Sequence, residues 1–322
     1  MRTKSVLIAV VLAAGLAACA APEEKTKEVA AVAGGGTVKI NDSPEQNRIV
    51  PAKVDAIAAL VPEKIRSTGK LTVGLGLAGS GSPPLGFTAT DNKTLIGSEP
   101  DIASAVAGIL GLQPDLQNSS WENLFIGLDS GKYDVGASNI TVTELRKQKY
   151  DFVTYRKDDL AFEVKKGSGL KITEPKDVAG KKVAVSSGTN QEKILVEWSK
   201  QDVANGLPAV DIKYYQTNQA TYLALGSGQI DAYLGPNPTS AYHVAVAGES
   251  EIAGTYSGAG ADLQGLIALT TKKDNGLVPA LKAALDELVS SGDYEKILAR
   301  WNLTSEAVTP EVNPPGLPID GK

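Results

Sequence analysis

Two hydrophobic periods alternate along this chain. The run SEPDIASAVAGILG places Ile102, Val106 and Ile109 on one face at helical spacing and stops at Gly111. WENLFIGLDSG does the same with Trp121, Leu124, Phe125 and Leu128 and stops at Gly131. Around these helices lie short β-rich runs: KLTVGLGL, DVGAS, YDFVTY, LAFEVKK, KVAVSS, DIKYYQT, IDAYLG and LIALTT. Strands alternating with amphipathic helices predict an α/β architecture with mostly parallel strands.

One joint occurs twice. LDSGKYD, Leu128 to Asp134, returns 97 residues later as LGSGQID, Leu225 to Asp231. In each, a helix ends at a glycine and feeds a short strand through a tight turn. That period is too long for a solenoid, so the echo predicts two lobes built on one plan. Gly74, Gly76 and Gly79 match G-x-G-x-x-G after the first strand. A dinucleotide site needs a helix start directly behind them, but Pro83 and Pro84 stand there, so a ligand-facing loop is expected instead.

Chemistry gathers where one strand stops. ASNITVTELR, Ala137 to Arg146, follows a strand, and in open α/β sheets ligands sit beyond the carboxyl ends of strands. Thr141 and Glu144 fit a capping box, which predicts a helix starting at Thr141 with Arg146 in its early turns. A helix start favours an anion, and a guanidinium grips a carboxylate in two parallel bonds. Together these features point to a small carboxylate ligand.

The N-terminus sets the setting. MRTKSVLIAVVLAAGLAAC has Arg2 and Lys4, an apolar run and then small residues before Cys19, the layout of a secretory signal peptide over residues 1–18. Leu16 to Cys19 resemble a bacterial lipobox, so lipidation at Cys19 and a membrane-anchored protein on the extracytoplasmic face are expected. Residues 19–65 read as the lipidated N-terminus and a linker, since APEEKTKEVAAVAGGG is charged, Ala/Gly-rich and without period. With the leader go two cations, which moves the formal charge from −5 to −7 and argues against nucleic acid as a partner. Cys19 is the one cysteine and His243 the one histidine, so disulfides, most zinc sites and Ser-His or Cys-His catalysis are excluded; His243 is expected to be structural or at the surface. No metal or other cofactor is expected.

The run from Gly97 to Phe152 resembles the extracellular solute-binding proteins, family 3, which serve amino-acid ABC importers. It carries in order a G-x-x-x-D-I helix, W-E-x-L-F, S-G-K-x-D, a polar strand end, T-x-T-x-x-R and a closing D-F. The likeness continues through KKVAVSSGTNQEKIL and LGSGQIDAYLG to SGDYEKILARWNL, roughly residues 66 to 303. It implies a periplasmic-binding-protein-like type II fold: two α/β lobes joined by two hinge strands, lobe 1 over 66–159 plus 260–322 and lobe 2 over 160–259. The strands between lobes are expected near Asp159 and between Thr255 and Gly265.

The resemblance also implies site residues. Arg146 clamps the ligand carboxylate, Ser138, Asn139 and Thr141 form the hydroxyl-rich strand end, and Trp121 packs on the ligand. From lobe 2, Gly188, Thr189 and Asn190 bring backbone N–H groups to the same carboxylate. Members that bind α-amino acids usually carry an acid where this chain reads GPNPTSAY, at Pro236 to Pro238; Asn237 offers a neutral hydrogen bond there. The loop GLAGSGSPPLGF lacks the acids and aromatics that many relatives use for a basic side chain, so lysine, arginine and histidine are less expected. The resulting expectation is a monomeric, non-enzymatic substrate-binding lipoprotein that hands a small carboxylate solute to an ABC permease. A dehydratase-like enzyme of the same fold would need a pair of cleft acids, which the sequence does not place. A sensory lipoprotein with the same binding module stays open.

Overall fold

A computed structural model describes residues 26–29, 38–77, 79 and 81–321; the expected leader and Cys19 lie outside them. The lobe 1 sheet runs in the order Gln113–Ser119, Lys70–Gly76, Val135–Gly136, Leu266–Lys272, Tyr150–Lys157. The lobe 2 sheet runs Asp211–Tyr214, Lys182–Val185, Ala232–Pro236, Asp159–Lys165, Ser250–Ser257. In each sheet the first three strands are parallel and the last two join antiparallel. Four of the five strands in each sheet therefore run in one direction, as expected, and one, Leu266–Lys272 or Asp159–Lys165, runs against them. The cause of this reversal is the crossing: the chain passes from Tyr150–Lys157 through Asp158 into Asp159–Lys165 and returns from Ser250–Ser257 into Leu266–Lys272. In each sheet the outgoing and returning crossing strands pair side by side and run in opposite directions.

Each lobe has its own core. Val73, Leu75, Ile102, Val106, Leu285 and Trp301 are buried together in lobe 1, and Phe162, Val183, Ile194, Leu195 and Trp198 in lobe 2. Ile40, Val61 and Ile65, from the stretch expected as linker, also pack into the first core. At the other end Leu317 is fixed to lobe 1 by its backbone, with its N–H donating to Val142 O at 3.1 Å and its carbonyl accepting from Glu144 N at 2.9 Å. Its side chain, however, is buried in the second core. Among the described residues, no helix is long and apolar enough to cross a membrane.

The repeated joint has one physical design. Helix Trp121–Ser130 is capped by Ser120 and ends at Gly131 with φ 74°; helix Asn218–Ser227 is capped by Thr217 and ends at Gly228 with φ 75°. That left-handed conformation favours glycine. Past each glycine an aspartate ties the turn to the neighbouring strand: Asp134 Oδ2 accepts from Thr72 N at 2.9 Å, and Asp231 Oδ2 from Lys182 N at 2.8 Å. The G-x-G-x-x-G run leads into the hairpin Gly81–Ser82 and Gly86–Thr88, so no helix follows to hold a pyrophosphate.

Backbone crowding limits substitution in lobe 2. A Cβ at Gly254 would stand 1.7 Å from the carbonyl oxygen of Ile172. Gly254→Ala is expected to lower stability by about 2 kcal/mol or more through this overpacking, read as a lower urea midpoint at unchanged slope.

Candidate functional site

The carboxyl ends of strands from both lobes meet at a cavity of about 130 Å³. That is far more than a single water needs, so the space takes a small molecule. Lobe 1 contributes Ser82, Glu99, Trp121, Ser138 and Asn139 to its wall; lobe 2 contributes Thr189, Asn190, Tyr215, Asn218 and Tyr233. Contacts on two sides close the cleft. On one side the Trp121 indole N–H and Arg146 Nη2 donate to Gly188 O, at 3.4 and 3.2 Å. On the other, Asn218 Nδ2 donates to Ser82 Oγ at 2.8 Å. Trp121 and Asn218 are the first residues of the two repeat-related helices, so each lobe reaches over the gap from the same position.

Arg146 is half-buried at the rim, its guanidinium carbon 5.2 Å from the Trp121 ring and 5.3 Å from the Phe125 ring. Nη1 donates to Thr141 O at 2.9 Å. Burial pulls its pKa down to about 10, against the attraction of Asp158. It therefore stays a cation near neutral pH, held between lobe 1 and lobe 2 carbonyls.

The helix expected to begin at Thr141 does not form. Thr141 and Thr143 instead make β-bridges to Ile267 and Leu317, and only a short 3-10 turn forms, over Arg146–Gln148. Glu144 takes Lys147 Nζ and the Gly316 N–H, both at 2.9 Å, where a capping box would have it turn back to Thr141. Thr143 Oγ1 accepts the Arg146 N–H at 3.1 Å. The longest helix that starts at the site belongs to lobe 2. Asn190–Ala204 is capped by Thr189, and Asn190 and Gln191, both on the cavity wall, lie in a first turn whose N–H groups have no acceptor inside the helix.

The sequence-derived residues divide by position. Trp121, Ser138, Asn139, Thr189 and Asn190 reach the wall, and Arg146 and Gly188 meet at the rim. The Gly188 N–H donates to Glu192 Oε2 at 2.6 Å, which leaves its carbonyl as the group turned to lobe 1. Thr141 is wholly buried and gives its hydroxyl to Asp158 Oδ2 at 2.7 Å. At the lobe 2 strand end Pro236 lines the cavity, while Asn237 opens the helix behind it. His243 lies away from this cavity, stacked on Tyr222 at 3.5 Å between ring centroids.

Besides Tyr233 on the lobe 2 strand Ala232–Pro236, sequence reasoning missed two groups. Tyr215, Gln216 and Asn218 follow the carboxyl end of Asp211–Tyr214, so the rule that found Ser138 would have found them. Glu99 is the other. It is 2% exposed, accepts from the Asn139 N–H and, at 3.2 Å, from the Tyr155 hydroxyl, and lies 4.0 Å from Arg156. Burial raises its carboxyl pKa, with Arg156 opposing.

A two-lobed fold with a cavity of mixed polar and apolar lining between the lobes, a bridging guanidinium on one side and a helix start on the other defines a binding protein that encloses a small solute. The chain belongs to the bacterial extracellular solute-binding proteins, family 3, whose pattern it matches over residues 75–304. It is 30% identical over 264 residues to the arginine-binding protein ArgT of Corynebacterium glutamicum, covering 80% of this chain and 82% of that one. It is 32% identical over 240 residues to the L-cystine-binding protein TcyJ of Escherichia coli, covering 74% and 84%. A crystal structure of a mutant of ArgBP from T. maritima superposes with a TM-score of 0.64 at 26% identity, covering 74% of this chain and 97% of that one.

The raised carboxyl of Glu99 gives a signed pH effect. A folded-state pKa above the unfolded value adds stability that is fully present below about 4.3, the ordinary glutamate value, and is lost as pH rises through the folded value. Glu99→Gln should remove that loss, so its urea midpoint should fall less than the wild type's as pH rises above about 4.3.

Proposed function

We propose that this protein is the substrate-binding lipoprotein of an ABC importer. It encloses a small carboxylate-bearing solute, an amino acid or a derivative, between its lobes and delivers it to a membrane permease. The observation that carries this reading is the small-molecule cavity between the lobes, with Arg146 at its rim and the Asn190–Ala204 helix start on its wall. The solute carboxylate binds between that guanidinium and the first-turn N–H groups, which favour an anion through unpaired donors and the helix dipole. Relatives named for arginine and cystine support an amino acid.

The cationic end of the solute needs a partner, because an ammonium buried without an anion is poorly compensated. Pro236 supplies none from lobe 2. Glu99 is the buried carboxylate on the lobe 1 wall, and in this reading it takes that role. It also provides, from a helix, the acid that the loop before it lacks, so a basic side chain is again admissible as ligand. Moving the lobes from mostly open to mostly closed takes a preference of roughly 5.5 kcal/mol for the closed form. A few charge-assisted bonds of about 1.5 to 3 kcal/mol each suffice.

Two tests follow. Mass spectrometry of small molecules released from gently purified protein should yield an amino-acid-like carboxylate, and Arg146→Ala should weaken calorimetric binding of that compound about 100-fold without loss of fold; unchanged affinity rejects the assignment. Cys19→Ser should abolish metabolic labelling by a fatty acid and release the protein from the membrane fraction.

A further inference from the structure

Two residues of the site do unexpected work. Thr141, from the Arg146 segment of lobe 1, and Asn190, from the Gly188 loop of lobe 2, donate to the same oxygen, Asp158 Oδ2, at 2.7 and 3.0 Å. Asn190 Nδ2 also reaches Gly258 O at 2.9 Å. Asp158 is the residue between the strands of the outgoing crossing. Its own backbone is tied to the returning one, by N–H to Gly265 O and by its carbonyl from Gly258 N, both at 2.8 Å. A Cβ at Gly258 would stand 1.8 Å from Oδ2, so this carboxylate is seated where no other side chain fits.

The contacts form a ring. Arg146 Nη1 holds Thr141 O, the Thr141 hydroxyl holds Asp158, Asn190 holds Asp158 from the other lobe, and Gly188, two residues before Asn190, returns its carbonyl to Arg146 Nη2. We propose that Asp158 is a positioning residue for solute capture, a latch at the hinge that orients the Arg146 segment and the Gly188 loop against each other when the lobes close. Thr141 and Asn190 then act mainly through Asp158. Its carboxylate is 1% exposed and aimed at both donors, so its place is the joint and not the solute. This rests on the proposal that the lobes close around a ligand.

The test reads the lobes directly. In full-length chain carrying Cys19→Ser, spin labels go on Ile126→Cys and Leu223→Cys, 63% and 75% exposed and one in each lobe. Their distance distribution is measured by pulsed electron resonance, without solute and with L-arginine or L-cystine as probes. Asp158→Ala should lower the closed-to-open ratio about tenfold, in line with the loss of charge-assisted hydrogen bonds. Thr141→Val alone should lower it too, yet add nothing in the Asp158→Ala background. Asp158→Asn, which keeps the shape, gives the same comparison with a smaller shift and serves if the alanine variant does not fold. An unchanged distribution, a fully additive Thr141→Val effect, or a parent without a closed population under any condition would overturn the latch. Failure of both probes to bind the parent counts against the amino-acid reading and leaves the solute-free comparison intact.

Discussion

A guanidinium has five donors and no acceptor, so wherever it is sheltered from water it must be met by oxygens. Arg146 is met by a carbonyl from each lobe, Thr141 O and Gly188 O, while the Trp121 and Phe125 rings take its faces. Much of the site follows from that requirement. Gly188 turns its carbonyl toward lobe 1 because Glu192 has taken its N–H, and φ of 74° lets glycine hold that turn. Thr141 and Thr143 stay extended because their backbones are drawn into bridges on either side, which presents Thr141 O to the guanidinium.

Beneath the cavity lies a second cation with a different role. Arg156 is 1% exposed; it donates to Glu306 and Asn139 and lies near Glu99. Burial alone would lower its pKa, but Glu306, Tyr155 and Glu99 more than offset this and hold it above the ordinary value. Removing one member of such a set leaves a charge uncompensated, which costs far more than the set contributes intact. The network binds Asn139 of the strand end, Glu99 of a helix and Glu306 of the C-terminal segment into one floor. Only Glu99 and Asn139 of this group reach the cavity wall, so the floor sets their orientation from below.

Local rules made part of this legible. The helices ending at Gly131 and Gly228, the strands from KLTVGLGL to LIALTT and the paired joints all came from periodicity and turn chemistry, which act within a few residues. The strand Ser250–Ser257 was not read, because SEIAGTYS has neither a continuous apolar run nor clean alternation and is fixed by pairing with Asp159–Lys165. The capping box at Thr141 misled for the same reason: Ile267, Leu317 and Asp158 compete for its groups from 17 or more residues away. Glu99, an acid in the first turn of its helix, carries no signal of its own in the sequence. Its burial comes from Arg156 and Tyr155, strand residues more than 50 positions on.

The two lobes show how a duplicated plan separates scaffold from site. The turn glycines, the aspartates behind them and the hydroxyl caps agree between halves, since each answers a backbone requirement that recurs with the joint. The first helical residue does not: Trp121 in lobe 1 presents a ring and an N–H donor, and Asn218 in lobe 2 a small amide. A closing cleft needs its two faces to be complementary, not alike, so divergence belongs at the positions that reach over the gap. The same logic explains why the strand ends differ. Ser138 and Asn139 on one side face Pro236 on the other, and the buried carboxylate on the wall comes from Glu99 in lobe 1. The shared joints fix where side chains point, and the unshared ones decide what the cavity can hold.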